Sequence, residues 1–352
     1  MIDTAERLAD FLPRLRAADW IALDTEADSL HAYPAKLCLL QFSIPGADVL
    51  VDPLADLDLA PLWDVLRGRE LLLHGSDYDL RLLREHHDFV PHRMFDTMIA
   101  ARLLGVLRFG LQDLVGTTLG VALEKGPQKA DWAQRPLTER MENYARNDTR
   151  YLHPLVTKLR EQLVAKGRLG WCEESCAALV AECAVVPPPD PEREWRLKGS
   201  AKLTREELAV LRELWHWREK EAVRCNRPPF FLLSHDTLLD LAIAAVDDVP
   251  LDPLLPRRFA PLRREAVLRA VARGLHVPPA ECPPKLRGVS YHPTDAEHAR
   301  FNRLKSLRDR RAAQQGIDPT LIASKQTLEL LSRKNSEPEK LLLKWQRELM
   351  SH

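Results

Sequence analysis

Three consecutive prolines, Pro187-Pro188-Pro189, with Pro191 just beyond, set the first limit on how this 352-residue chain folds. No helix continues through such a run, because each proline lacks a backbone donor and its ring clashes with the preceding turn. The run predicts an extended, semi-rigid connector. Before it, short apolar stretches alternate with helical ones; after it, the periodicity is helical throughout. The chain therefore reads as a mixed α/β half joined to an all-helical half, two or three domains in all.

In the α/β half, residues 19–24, 37–43, 49–52 and 70–74 read as strands, each short, apolar and bounded by turn residues such as Pro34, Pro45-Gly46 and Pro53. A helix is expected over 59–66. A second starts at Ser76 or Asp77 and turns Leu80, Leu82 and Leu83 inward, and a third runs from Asp96 or Thr97 through Leu104. The pattern then stays helical to residue 170.

The first strand ends on Asp24-Thr25-Glu26. Alone, such a pair marks an exposed turn, and alone a Tyr144/Asp148 pair marks an ordinary helix face. Here they occur together, with Asp79 at the head of a helix. Asp24 and Glu26, two residues apart on an extended segment, face the same way; Tyr144 and Asp148, four apart on a helix, share a face. Four carboxylates drawn from three separate segments suit phosphodiester hydrolysis assisted by two divalent cations. Hard cations such as Mg²⁺ or Mn²⁺ take oxygen ligands, and the sequence offers no matching His/Cys cluster. Asp24 would bridge both ions, Glu26 would bind the one that activates water, and Asp79 and Asp148 would complete the set. Tyr144, with an ordinary pKa of about 10, suits orienting water better than deprotonating it.

The whole chain carries no net charge, which argues against a strongly basic nucleic-acid binder. Residues 1–170 hold 21 Lys and Arg against 25 Asp and Glu, a net −4, and the remainder is +4. Residues 285–352, with 14 basic and 8 acidic side chains, are the most basic segment, as expected of a nucleic-acid grip attached to a cation-holding half. Six cysteines without paired Cys-x2-Cys spacing read as reduced thiols. No apolar run approaches the ~18 residues of a membrane span, and the N-terminus lacks signal-peptide order, so a cytoplasmic location is expected.

Asp24-Thr25-Glu26, His74-Gly75-Ser76-Asp77-Tyr78-Asp79-Leu80 and Tyr144-Ala145-Arg146-Asn147-Asp148 resemble, in order, the three exonuclease motifs of the DEDDy 3′→5′ exonucleases. Phe95-Asp96-Thr97 followed by Ala100-Ala101-Arg102-Leu103-Leu104-Gly105 also resembles that family, and Lys129-Ala130-Asp131-Trp132-Ala133-Gln134-Arg135-Pro136-Leu137 is similar to its ribonuclease D branch. The likeness covers about residues 1–170. It implies a ribonuclease-H-like sheet, two ions held by Asp24, Glu26, Asp79 and Asp148, and Tyr144 completing the catalytic set. It further implies release of nucleoside 5′-monophosphates from the 3′ ends of structured RNA such as tRNA precursors. Asp79 stands five residues after His74, where the family places its ligand; Asp77 then reads as a helix cap, His74 as a structural strand-end residue and Asp96 as a cap. Lys129 and Arg135, in the loop before the last catalytic helix, are expected to hold the phosphate backbone, with Trp132 packed beneath the loop.

Past the prolines, Leu211–Arg218, Arg227-Pro228-Pro229-Phe230 and Thr237-Leu238-Leu239 resemble the helicase-and-RNase-D C-terminal (HRDC) domain, although residues 254–259 lack the glycine usual in its later turn. Leu307-Arg308-Asp309, Gly316-Ile317-Asp318-Pro319 and Ser324-Lys325-Gln326-Thr327-Leu328 echo the same plan. The expected layout is an exonuclease domain at 1–170, a helix end and proline-rich linker at 171–202, an HRDC domain at 203–280 and a second HRDC-like domain at 290–352. Two other functions share these motifs: a 3′→5′ DNA exonuclease, since no residue unambiguously reads a 2′-hydroxyl, and a catalytically inactive nucleic-acid-binding scaffold.

Overall fold

The computed structural model describes residues 1–286 and 291–351. Ser290 and His352, the ends of the expected second helical domain, lie outside the described residues. Two compact units form: residues 1–27, 37–186 and 292–352 make the first, and residues 28–36 and 187–291 the second.

The first unit is built on a five-stranded mixed sheet of order β3-β2-β1-β4-β5. After helix α1 (Ala5–Ala17), the strands are β1 (Ile21–Ala27), β2 (Leu37–Ile44) and β3 (Ala47–Val51), then α2 (Ala60–Arg67), β4 (Glu70–Leu73), α3 (Asp77–His87) and β5 (Arg93–Asp96). β1 pairs antiparallel with β2 and parallel with β4, and β5 continues parallel beyond β4. This is the ribonuclease-H-like arrangement. β1 runs past Asp24 to Ala27, longer than its apolar run predicted, because ladder pairing with β2 carries Asp24 opposite Gln41 and Glu26 opposite Leu39.

Helices α4 (Thr97–Leu103), α5 (Leu111–Leu119), α6 (Glu139–Arg150), α7 (Leu152–Ala165) and α8 (Leu169–Ala184) follow. The stretch between α5 and α6 is irregular rather than helical. α8 packs Cys172, Cys176 and Cys183 into the same core as the sheet, so the helix end expected ahead of the proline-rich linker belongs to the body of the unit. All six cysteines are free thiols.

The second unit carries α9 (Arg205–Cys225), α10 (Pro229–Leu232), α11 (His235–Val246) and α12 (Pro261–Leu275) around a leucine-rich core. The C-terminal part of the first unit repeats this plan with α13 (Asp295–Gln315), α14 (Pro319–Ile322) and α15 (Lys325–Ser332), followed by α16 (Pro338–Leu341) and α17 (Lys344–Met350). Thr204 and Thr294 close capping boxes with Glu207 and Glu297. Buried Arg218 donates to Leu233 O and Glu219, and Arg308 donates to Ala323 O and Asp309. Ser234 and Ser324 cap α11 and α15.

The C-terminal helices are fastened to the catalytic body. Trp345 stacks on Trp171 of α8, ring centroids 4.9 Å apart. Glu174 accepts from the first backbone amides of α17, and Arg168 joins Leu103 O to Gln315 O at 2.7 and 2.6 Å. Among the described residues no helix is long and apolar enough to cross a membrane.

Candidate active site

Three elements carry the acids to one cleft of about 770 Å³. Asp24 and Glu26 project from β1, Asp79 from the first turn of α3, and Tyr144 and Asp148 from one face of α6. Carboxylate oxygens of Asp24, Glu26 and Asp148 lie within 4.8 Å of one another. Asp79 stands at the edge of this group and is buried, with the Thr25 hydroxyl donating to it.

The electrostatics follow from this crowding. Burial, then the neighbouring Asp79, Asp148 and Glu26, hold the Asp24 carboxyl well above the usual carboxylate range. Burial and the same repulsion push Glu26 up to about 9. Burial raises Asp148 to about 7, against an opposing hydrogen bond from Tyr144, and raises Asp79 to about 6, against the bond from Thr25. A compact set of oxygen ligands that resists ionising on its own fits a divalent cation, which removes the repulsion and takes hard oxygen donors. Burial and the adjacent Asp148 and Glu26 push the Tyr144 phenol above its ordinary value, so it stays protonated and acts as a donor.

α6 is pinned on both sides of Asp148. Arg146 donates to Asp48 O at 2.6 Å, Arg150 to the Asp48 carboxylate at 2.6 Å, and Thr149 meets the buried Ser43 hydroxyl at 2.8 Å. Gln41 was not singled out by sequence. Fully buried on β2, it donates to Asp24 Oδ2 at 2.8 Å and Ala145 O at 3.0 Å in the amide orientation that satisfies both. Its signal was a lone amide within the otherwise apolar run Leu37-Cys38-Leu39-Leu40 and Phe42.

Asp96 is a cap, and more. Its carboxylate accepts from Met98 N and Ile99 N at the start of α4, and also from Gly75 N, Ser76 N and the Ser76 hydroxyl. It thereby fixes the turn that launches α3 and Asp79. Ser76 is the N-cap of α3 by position, but its hydroxyl serves Asp96. Asp77 is the first residue of the helix rather than its cap; it pairs with Arg81 at 3.0 Å on the surface, outside the cleft lining. His74 lines the cleft with Nδ1 2.8 Å from the Thr97 hydroxyl, and burial lowers its pKa.

Arg135 has a different task from the phosphate contact expected of it. Its guanidinium grips Asp52 through two bonds of 2.5 and 2.6 Å and donates to the carbonyls of Trp132, Gln134 and Cys38. It braces the loop and is absent from the cleft lining. Lys129 is exposed on the same loop, next to the cleft-lining Gln128, and Lys125 lines the cleft itself. Trp132 is buried with Leu39, Leu137 and Met141, its ring centroid 6.1 Å from that of Tyr144.

Comparison with known proteins agrees with this geometry. A 3′-5′ exonuclease family matches residues 1–164, and the HRDC domain matches residues 207–248. Ribonuclease D of Psychromonas ingrahamii is 30% identical over 370 aligned positions, covering 100% of this chain and 98% of that protein. The chain belongs to the ribonuclease D family. Ribonuclease D of Gluconacetobacter diazotrophicus is 32% identical, covering 99% of this chain and 89% of its own length. The crystal structure of Escherichia coli RNase D, described as an exoribonuclease involved in structured RNA processing, superposes with a TM-score of 0.78 at 28% identity, covering 99% of this chain and 96% of that one. A Bifidobacterium adolescentis protein superposes with a TM-score of 0.85 at 25% identity, covering 99% and 94%. As a member of this family the chain is a 3′→5′ exoribonuclease: its substrate is nucleic acid, and its exonuclease domain uses divalent metal.

Proposed function

We propose that this ribonuclease D family member trims the 3′ ends of structured RNA, tRNA precursors among them, releasing nucleoside 5′-monophosphates with two Mg²⁺ or Mn²⁺ ions. The observation that carries this reading is the convergence of Asp24, Glu26 and Asp148 within 4.8 Å, beside the protonated Tyr144. Asp24, Glu26, Asp148 and Asp79 would hold the ions. Bound there, divalent metal supplies an activated water and stabilises the charge on the leaving oxygen. Tyr144, hydrogen-bonded to Asp148 and close to Glu26, would orient that water. Tyr78, exposed on the cleft wall beside Asp79, offers a face for the terminal base. Lys125, which lines the cleft, and Lys129, exposed on the same loop, would hold phosphates 5′ of the scissile bond. An inactive scaffold has no need of four carboxylates held against their own repulsion.

Digestion of end-labelled 3′-extended tRNA, unstructured RNA and single-stranded DNA, with the label moved between ends, tests the reading. Stepwise shortening of the extension from the 3′ end in Mg²⁺ or Mn²⁺ is expected. Preference for DNA, or no hydrolysis with either metal, would overturn it.

A further inference from the structure

His74 lines the cleft with one ring nitrogen that neither the fold nor the cations account for. Its imidazole is held from one side, where Nδ1 lies 2.8 Å from the Thr97 hydroxyl. That hydroxyl has a single proton and donates it to the buried Leu73 O at 3.2 Å. Thr97 therefore accepts at the imidazole, and Nδ1 carries the ring proton. Burial keeps the His74 pKa below its usual value, so the ring is neutral at pH 8. In a neutral ring protonated at Nδ1, Nε2 is a bare acceptor. Among the described residues Nε2 has no protein donor.

The mounting is rigid. Gly75, next in the chain, turns with a φ of +65°, and a Cβ there would fall 2.5 Å from Met98 Cε. Asp96 grips Gly75 N and Ser76 N, and it also caps the helix whose first residue is Thr97. One carboxylate thus fixes both the turn that carries the ring and the hydroxyl that sets its tautomer.

The amide side chains of the cleft are engaged elsewhere. Gln112 donates to Leu123 O, Asn147 accepts from Arg150, and Gln128 is bonded to Tyr144. The four carboxylates are committed to cations in the reading above, which leaves His74 Nε2 as a neutral acceptor open to substrate. A bare lone pair repels phosphate oxygens, which carry no proton, and attracts a hydroxyl. Every ribonucleotide threaded through the cleft offers a 2′-hydroxyl whatever its base, whereas only the last has a free 3′-hydroxyl.

We propose that His74 Nε2 accepts a hydrogen bond from a ribose 2′-hydroxyl near the 3′ end, which makes His74 a determinant of RNA over DNA. The 2′-hydroxyl is the group that separates the two nucleic acids at any one site. The proposal rests on the reading above that this cleft hydrolyses RNA from its 3′ end.

The test is run at pH 8 with Mn²⁺, on full-length protein and a short unstructured RNA labelled at its 5′ end. Each of the last three riboses is replaced in turn by 2′-deoxyribose or 2′-fluororibose, and the last also by 3′-deoxyribose. The readout is kcat/KM for the all-ribose strand divided by that for the substituted strand. In the unaltered protein one position is expected to give a ratio of about ten with either 2′ change, the scale of one hydrogen bond in a part-open cleft. Fluorine has no proton to give, so it cannot replace a hydroxyl that faces an acceptor. In His74→Phe, which keeps a ring and removes the lone pair, the ratio at that position is expected to fall to about one. Each ratio compares two strands on one protein sample, so a smaller folded fraction cancels, and the fluorine arm needs no variant at all. Indifference of the unaltered protein to 2′-deoxyribose at all three positions would overturn the proposal. So would a ratio that survives in His74→Phe, or a 2′-fluororibose strand cut as well as the all-ribose one. Relief of the 3′-deoxyribose defect alone would overturn it as well, by moving the contact to the other hydroxyl. Failure of the unaltered protein to hydrolyse the all-ribose strand with either Mg²⁺ or Mn²⁺ would instead overturn the reading of the cleft on which the proposal rests.

Discussion

Asp96 and Asp52 are buried acids surrounded by donors, whereas Asp24, Glu26 and Asp148 are half-buried acids surrounded by one another. Asp96 accepts from four backbone amides and a hydroxyl, and Asp52 accepts both arms of Arg135. These carboxylates complete the fold. In the cleft the nearest charges are other carboxylates, and burial and repulsion lift all four pKa values. A protein keeps such an arrangement where a ligand of opposite charge restores the balance. The acids of this chain are thus sorted by what faces them, not by how deep they lie.

The largest effect separating the two sets is on turnover. Asp24→Asn or Asp148→Asn is expected to lower hydrolysis by on the order of 10³-fold, because each removes charge that would hold the cations at the reacting phosphate, with circular dichroism expected to show an intact fold. An active Asp24→Asn enzyme would break the comparison. Tyr144→Phe comes next, with a loss of about a hundredfold, within the range for positioned proton donors. Its metal titration midpoint should stay where it was if, as proposed, the hydroxyl orients water and is not in the ligand set. Full rescue by added Mn²⁺ would place Tyr144 among the ligands instead.

Asp96→Asn sharpens the other side. It weakens an acceptor shared by five donors and is expected to cost about 1–3 kcal/mol of stability, read as a lower urea midpoint, with turnover per folded molecule falling less than for any cleft acid. The smallest effect belongs to Asp77→Asn. Its Arg81 pair is exposed, so about 0–1 kcal/mol and near-normal turnover are expected. A dead Asp77→Asn enzyme with an active Asp79→Asn counterpart would reverse the placing of the second motif.

Local signals carried much of this organisation. Two-residue and four-residue spacing brought Asp24 with Glu26 and Tyr144 with Asp148, and the inward face of α3 follows from Leu80, Leu82 and Leu83. What stayed hidden depends on partners far apart in the chain. Gln41 reaches Asp24 only through the β1–β2 register. Arg135 looks like any loop cation until Asp52, 83 positions away, is placed beside it. Asp96 reads as a cap from its own neighbours, and its hold on Ser76 needs β4 and β5 side by side. The seating of Trp345 on Trp171 likewise has no local signature.

The most direct test of the central claim, that the cleft acids are held against their own repulsion for a cation, is the melting temperature of metal-free protein with and without Mn²⁺. Glu26, Asp148 and Asp79 have folded-state values of about 9, 7 and 6, all raised. The folded state therefore binds protons more tightly than the unfolded one. The stability this contributes is complete below about pH 4 and is lost as pH rises toward 9. Metal-free wild type should melt lower at pH 8 than at pH 5.5, and Mn²⁺ should recover several degrees at pH 8, because it binds only the folded state. Asp24→Asn should melt higher than wild type at pH 8 without metal and gain little from Mn²⁺. Equal melting temperatures for the two metal-free proteins, with equal gains from Mn²⁺, would contradict the account.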